Sequence, residues 1–363
     1  MAIEDNKMFI NVYDMKNPEY PFQFFIGGRG TGKTYSALGG AVEGHVNNKF
    51  MYSRMTDKEY KVLLDIKGIE GGNPFKKYNH ENGTNYGLNR INSSLSGIYQ
   101  REANKDGLLI PTGQPIGYGS ALYNIADLRS IDFYDVSDWI LDEFVPEKHK
   151  RALPDAADAF FNAYETINRN RELEEPAKPP VNVWAISNSN NIYNDMFKGL
   201  GIVADIEKAV RKKKTDLYYK DRGLAVHLLK NSKIFDAKKR QTALYKLSRG
   251  TRYAEMALEN KFAYDDFSLV GYKLLKYGWR PVVSIINGDT EYSIYRKTGD
   301  KFMHVTYYQA KYTPAFKVKH AQDRAGFKKE YGQYLYDKFI RGYLTFETYE
   351  LKCELLDLLT VKI

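Results

Sequence analysis

Residues 27 to 34 read Gly27-Gly28-Arg29-Gly30-Thr31-Gly32-Lys33-Thr34, a fit to GxxxxGK[ST]. The glycines let successive backbone N–H groups converge on one point without Cβ clashes, which is how a loop cradles a phosphate. Lys33 is placed to reach β- and γ-phosphate oxygens and the Thr34 hydroxyl to ligate Mg²⁺, while the helix starting here adds the positive end of its dipole. The chemistry these residue types support is binding of ATP with Mg²⁺. Such a loop needs a carboxylate at the end of a neighbouring strand to hold the metal from its other side, and Asp142 follows the apolar run Trp139-Ile140-Leu141. Glu143, one residue further, is the group expected to polarise water for attack on the γ-phosphate. Consecutive Asp and Glu favour the hydrolytic, force-generating P-loop class (ASCE type) over simple kinases.

Phosphoryl transfer also calls for positive charge on the transition state, often supplied by a neighbouring subunit. Arg169, in Asn168-Arg169-Asn170-Arg171-Glu172, is the first candidate for such an arginine finger, with Arg171 close by. Arg129, in Leu128-Arg129-Ser130, is a second. Arginines at a helix end also favour the helix dipole without catalysis. Ser187 and Asn188 close a further expected strand, where a polar group can sense the γ-phosphate; an Asn there also suits a plain turn.

The elements that must position these groups follow from periodicity. Apolar residues 22–26 run into the glycines and then into a breaker-poor stretch from Lys33, predicting strand, loop, helix. Residues 50–54 and 57–66 predict the next strand and helix, so a parallel α/β sheet is opening. Residues 68–119, rich in Gly, Asn and Ser, predict an antiparallel excursion. Residues 139–141 and 181–187 predict buried strands, and 154–171 a helix in which Phe160, Phe161, Tyr164 and Ile167 share a face. From about Gly250 the pattern changes: residues 281–287, 291–297 and 302–308 predict a three-stranded meander around the turn signal Gly288-Asp289, followed by two helical stretches. The expected division is an ATPase domain over 1–200, a basic linker or lid over 201–249, and a C-terminal domain over 250–363.

The chain of 363 residues is 43% hydrophobic and carries a formal charge of +9 with pI near 9.1. Residues 207–250 hold 14 Lys and Arg against 4 Asp and Glu, more than the excess of the whole chain. Concentrated positive charge attracts phosphate backbones by releasing counterions. Arg211, Lys212, Lys213, Lys214, Lys238, Lys239 and Arg240 are therefore expected to contact nucleic acid, as are Lys58 and Lys61 after the second strand, although lysines on a helix surface also serve simply as a solvated face. A single cysteine, Cys353, excludes an internal disulfide and a CxxC metal cluster, which fits a reducing cytoplasm. No run approaches the ~18 apolar residues of a membrane span, and residues 1–10 lack a basic stretch leading into an apolar one, so no membrane partner is expected.

Taken together, these residues resemble the DNA-packaging ATPases of phi29-like short-tailed phages, relatives of the large terminase subunits. The resemblance rests on the arginine-bearing loop Ile26 to Lys33, the strand Phe50-Met51-Tyr52-Ser53-Arg54, Asp142-Glu143-Phe144, Arg169-Asn170-Arg171-Glu172 and Ser187-Asn188. Outside the ATP site it rests on Gly250-Thr251-x-Tyr253-x-Glu255-Met256 and Gly342-Tyr343-Leu344-x-Phe346. It implies a ring motor, of five subunits, on the portal vertex of an empty capsid in the host cytoplasm, pumping double-stranded DNA inward. Arg169 and Arg129 would act on the neighbour's ATP, and a packaging RNA could be a further partner. The C-terminal domain would be a degenerate RNase H-like α/β fold whose first strand offers Ser284 and Asn287, with Asp289 at the turn, where a two-metal nuclease wants carboxylates. The alternatives are another DNA-translocating P-loop ATPase of helicase or partitioning type, and a nucleotide-gated nucleic-acid-binding module.

Overall fold

A computed structural model describes residues 8–45, 48–64, 71–146, 155–189, 191–251, 254 and 266–359, which divide into two compact units. The first comprises Met1–Gly201 with Lys208–Tyr264, the second Ile202–Glu207 with Asp265–Ile363.

In chain order the first unit contains β1 (Phe22–Gly27), α1 (Lys33–Gly44), β2 (Lys49–Arg54), α2 (Asp57–Lys61), α3 (Lys76–Asn82), β3 (Tyr86–Arg90), β4 (Ser96–Ala103), β5 (Leu109–Ala121), α4 (Leu122–Ile125), β6 (Val136–Asp142), α5 (Ala156–Asn168), β7 (Asn182–Asn188) and α6 (Asp195–Gly199). Helix α7 (Val203–Arg211) is shared between the units, and β8 (Asp216–Tyr219), β9 (Leu224–Leu228), α8 (Lys233–Arg240) and α9 (Ala243–Leu247) follow.

Its nine described strands form one sheet in the order β3-β4-β5-β2-β6-β7-β1-β9-β8. From β5 to β9 all neighbours are parallel, while β3-β4-β5 and β8-β9 are antiparallel edges. The central strands read as continuous apolar runs because helices cover both faces of a parallel sheet. Phe24, Phe25, Met51, Trp139, Ile140, Leu141, Val183, Trp184 and Ala185 are all fully buried. Trp139 donates its indole N–H to the Ser53 hydroxyl at 3.0 Å and stacks on Phe160 of α5 with ring centres 5.3 Å apart. The excursion expected over 68–119 ends in β5, which returns to pair in parallel with β2.

Two details depart from the pattern reading. Phe161 is 47% exposed while Phe160, Ala163 and Ile167 are buried. The step of one residue from Phe160 turns it about 100° around the helix, off the shared face. Within residues 201–249, read as a linker or lid, β8 and β9 extend the sheet of the first unit, and His227 of β9 stacks on Phe25 of β1 at 4.9 Å.

The second unit is a five-stranded sheet in the order β13-β10-β11-β12-β14. Strands β10 (Trp279–Asn287), β11 (Thr290–Lys297) and β12 (Met303–Thr306) form the expected antiparallel meander. Gly288, at φ +64°, opens the two-residue loop between Asn287 and Thr290, as a tight hairpin requires. Then come β13 (Ala315–Lys317), α10 (Ala321–Phe327), α11 (Gln333–Ile340), β14 (Leu344–Phe346) and α12 (Tyr349–Leu359). β13 adds in parallel to β10, and β14 in parallel to β12. Val283, Ile285, Ile294, Val305, Phe327, Leu335, Leu344, Phe346, Leu351 and Leu355 form its core.

The Gly342-Tyr343-Leu344-x-Phe346 motif is structural: Gly342 turns the chain at φ +73°, and Leu344 and Phe346 enter that core. Tyr253, Glu255 and Met256 lie outside the described residues.

Candidate active site

Strand β1 ends at Gly27 and helix α1 begins at Lys33, so the loop between them sits at the C-terminal edge of the central strands, where parallel sheets bind ligands. Gly30 and Gly32 stand at φ +75° and +94°, left-handed conformations that a side chain would strain. Lys33 lies over the loop and donates to the carbonyls of Gly27 at 3.1 Å and Gly28 at 2.7 Å. Burial pushes its ammonium down to about 8; Asp142 and Glu143 pull it up, and Lys239 adds to the lowering.

Parallel pairing of β2 with β6 sets Arg54 opposite Asp142. The Thr34 hydroxyl donates to one Asp142 carboxylate oxygen at 3.0 Å, and the Tyr52 hydroxyl donates to the other at 3.1 Å. Burial pushes Asp142 above the usual carboxylate range, and Glu143 adds to that, while Arg54, Thr34 and Tyr52 oppose it. Thr34 and Asp142 thus present two hard oxygen donors to one point beside the loop. That pair suits Mg²⁺, which binds through one or two protein oxygens with phosphate and water completing its shell. A cation there would also relieve the desolvated carboxylate.

Glu143 leaves the strand at φ +55°, a left-handed conformation uncommon for a residue with a side chain. Its N–H donates to the Ile186 carbonyl at 2.7 Å. Its carboxylate receives the Arg54 guanidinium, which also stands 3.6 Å from Asp142. Ser187 accepts the Val145 N–H at 3.1 Å and so fixes the chain just past Glu143. Asn188 lines the same cavity, of about 420 Å³, with Arg29 to Thr34, Asp142, Glu143 and Ser187.

Arg169 and Arg129 come together: the exposed Arg169, at φ +47°, donates to the carbonyl of the exposed Arg129. Neither is among the described residues lining the cavity. Arg171 is buried and donates to the carbonyls of Asn168, Val136, Phe133 and Ile167, tying α5 to the start of β6. Pattern reading missed Tyr52 and Arg54, whose place beside Asp142 is set by the pairing of β2 with β6.

The basic residues separate by place. Lys58 and Lys61 are exposed on α2, with Lys61 paired to Asp57. Arg211, Lys212, Lys213 and Lys214 form an exposed run at the end of α7. Lys238 and Arg240 are exposed on α8, whereas the half-buried Lys239 donates to the Arg29 carbonyl of the phosphate loop at 2.7 Å. No described helix is long and apolar enough to cross a membrane.

The family described as Podovirus DNA encapsidation protein (Gp16) matches residues 108–359. The DNA packaging proteins of Bacillus phages PZA and phi29 are each 25% identical over 268 residues, covering 72% of this chain and 68% of theirs. Among solved structures, the phi29 viral genome packaging motor assembly aligns with a TM-score of 0.59 at 21% identity, covering 98% of this chain and 100% of that one. The Phi-28 gp11 DNA packaging motor aligns with a TM-score of 0.57 at 17% identity, covering 99% of both. These two likenesses agree with a mixed α/β fold built on a parallel sheet.

Proposed function

Because the chain belongs to the podovirus DNA encapsidation protein (Gp16) family, we propose that it is the ATP-driven motor subunit that moves double-stranded viral DNA into the procapsid through the portal. The observation that carries the catalytic half of this reading is the meeting of Lys33, Thr34, Asp142 and Glu143 in one cavity, with the Thr34 hydroxyl 3.0 Å from the Asp142 carboxylate. Thr34 and Asp142 would hold Mg²⁺, which supplies charge neutralisation on the β- and γ-phosphate oxygens when bound. Residues 27–34 cradle the phosphates of ATP. Lys33 exchanges the carbonyls of Gly27 and Gly28 for phosphate oxygens. Glu143 orients the attacking water once it exchanges the Arg54 guanidinium for that water. Ser187 and Asn188 report the γ-phosphate to the chain after β7.

Arg169, with Arg129 beside it, supplies the transition-state charge to the neighbouring subunit's site. Such a contact is satisfied in a closed ring, here of five subunits, seated transiently at the portal vertex in the host cytoplasm. Lys58, Lys61, Arg211 to Lys214, Lys238 and Arg240 are the residues proposed to meet phosphate backbones, of DNA and of a packaging RNA where one is used. The C-terminal unit acts as a nuclease-like domain without nuclease chemistry. Ser284 bonds Ser293 at 2.8 Å and Thr313 at 3.2 Å, a hydroxyl cluster where a nuclease would gather carboxylates.

Steady-state ATP hydrolysis with and without duplex DNA tests this reading. Glu143→Gln and Arg169→Ala should each abolish DNA-stimulated turnover, a loss of about 10²-fold or more. Mixing the two inactive proteins should restore part of it, since one supplies the finger and the other the water-activating carboxylate. Turnover indifferent to DNA, with Arg169→Ala silent, overturns the shared-site motor.

A further inference from the structure

Strand β2 turns Tyr52 and Arg54 to one face of the sheet and Ser53 to the other, as alternation along a strand requires. On its side Ser53 accepts the Trp139 indole N–H. Tyr52 belongs to the core on the opposite side, with Leu38 and Ala41 of α1. The register sets Tyr52 opposite Ile140 and Arg54 opposite Asp142. Tyr52 therefore meets Asp142 on the diagonal, a span that a long aromatic side chain covers and a short one does not. Tyr52 is 1% exposed, and its hydroxyl donates to the Asp142 Oδ2 at 3.1 Å. The Thr34 hydroxyl donates to Oδ1 at 3.0 Å. The carboxylate is thus pinned at both oxygens, one from the helix and one from the neighbouring strand. Arg54 adds positive charge on the Oδ2 side at 3.6 Å, while Glu143 engages the same guanidinium. A hydroxyl hydrogen and a guanidinium keep a cation from Oδ2 and leave it Oδ1, on the Thr34 side.

Divalent ions differ in what they ask of a carboxylate. Mg²⁺ takes single oxygens in near-ideal octahedral positions and keeps several waters, whereas Ca²⁺ gathers more oxygens and accepts both from one carboxylate. We propose that Tyr52 sets the choice of metal at this site: by occupying Oδ2 it holds Asp142 to one-oxygen ligation and so favours Mg²⁺ over Ca²⁺ as the ion that accompanies ATP. The inference rests on the ATP reading above. Tyr52 is not among the described residues lining the cavity, so it is a positioning residue that acts through Asp142. With its hydroxyl removed, the carboxylate is free to turn, and Oδ2 becomes available as a second ligand to the larger ion.

The test is titration calorimetry of the full chain with ATP in Mg²⁺, in Ca²⁺ and in a chelator without either ion. Wild-type protein should bind the Mg²⁺ complex more tightly than the Ca²⁺ complex. Tyr52→Phe keeps the ring and should narrow that preference by about tenfold, in line with the loss of one hydrogen bond to a charged group. Metal-free ATP should stay within about twofold of wild type, because the phosphate loop is untouched. A Mg²⁺-to-Ca²⁺ preference unchanged or wider in Tyr52→Phe overturns the proposal, and so does equal weakening in all three titrations, the mark of a packing role alone. If Tyr52→Phe does not fold, Tyr52→Met, which fills space without a donor, carries the same comparison. Wild-type protein that binds the two complexes equally overturns metal selection outright. Wild-type protein that binds ATP in none of the three conditions overturns the ATP reading instead.

Discussion

Lys33 is charged at neutral pH but close to losing its proton, with an ammonium pushed down to about 8 by burial. Phosphate favours the charged form, so ATP binding should raise that value and draw a proton from solvent between about pH 8 and the ordinary lysine value of about 10.4. ATP affinity should therefore fall as pH rises through 8, and calorimetry in buffers of different ionisation enthalpy should register proton uptake. Lys33→Arg, charged throughout, should bind without uptake. The folding linkage has the opposite sign: the unfolded chain holds the proton to higher pH than the folded one, so this group's contribution to stability rises from pH 8 upward. A second contrast at this scale separates two arginines that lie two residues apart. Arg171→Ala strands buried carbonyls of α5 and β6 and should destabilise the fold by about 3 kcal/mol in denaturant titrations. Arg169→Ala, at the surface, should leave stability within about 0.5 kcal/mol while removing shared catalysis.

Among the elements, the legible ones are those whose burial is one-sided or complete. The run before Gly27 and the run Trp139-Ile140-Leu141 announced their strands because a parallel sheet covered on both faces tolerates only apolar side chains there. With those two strands placed, Thr34 and Asp142 followed, since both ends meet at one edge. Arg54 and Tyr52 stayed hidden because their role comes from the neighbour that β2 acquires, and strand order is not written locally. Strands β8 and β9 were hidden for another reason: the buried run Leu224-Ala225-Val226 is only three residues long and lies inside the densest stretch of Lys and Arg, and His227 beside it pairs with Asp216 at 2.7 Å. Phe160 and Phe161 show the same boundary at single-residue resolution. Phe160→Ala opens a cavity under Trp139 and should cost about 3–5 kcal/mol. Phe161→Ala should shift the unfolding midpoint far less, about 0.5 kcal/mol. Equal effects would mean that α5 is rotated from the orientation described.

For the whole molecule, the segment carrying the excess charge has two destinations. Lys239 serves the phosphate loop through the Arg29 carbonyl, whereas Arg211, Lys212, Lys213 and Lys214 stand exposed. A motor that holds DNA through phosphates, without reading bases, must bind every sequence alike and must loosen as salt rises. Binding to unrelated duplexes of equal length should agree within about twofold, and log K against log salt should be linear, with each phosphate contact adding about 0.9 to the slope. Replacing Arg211, Lys212, Lys213 and Lys214 together by alanine should then flatten the slope by as much as about 3–4 and leave ATP affinity unchanged. Lys239→Ala should do the reverse, altering nucleotide affinity with the salt slope intact. If the fourfold variant keeps the wild-type slope, the exposed run only solvates the surface. The DNA contacts must then come from Lys58, Lys61 and their neighbours on α2.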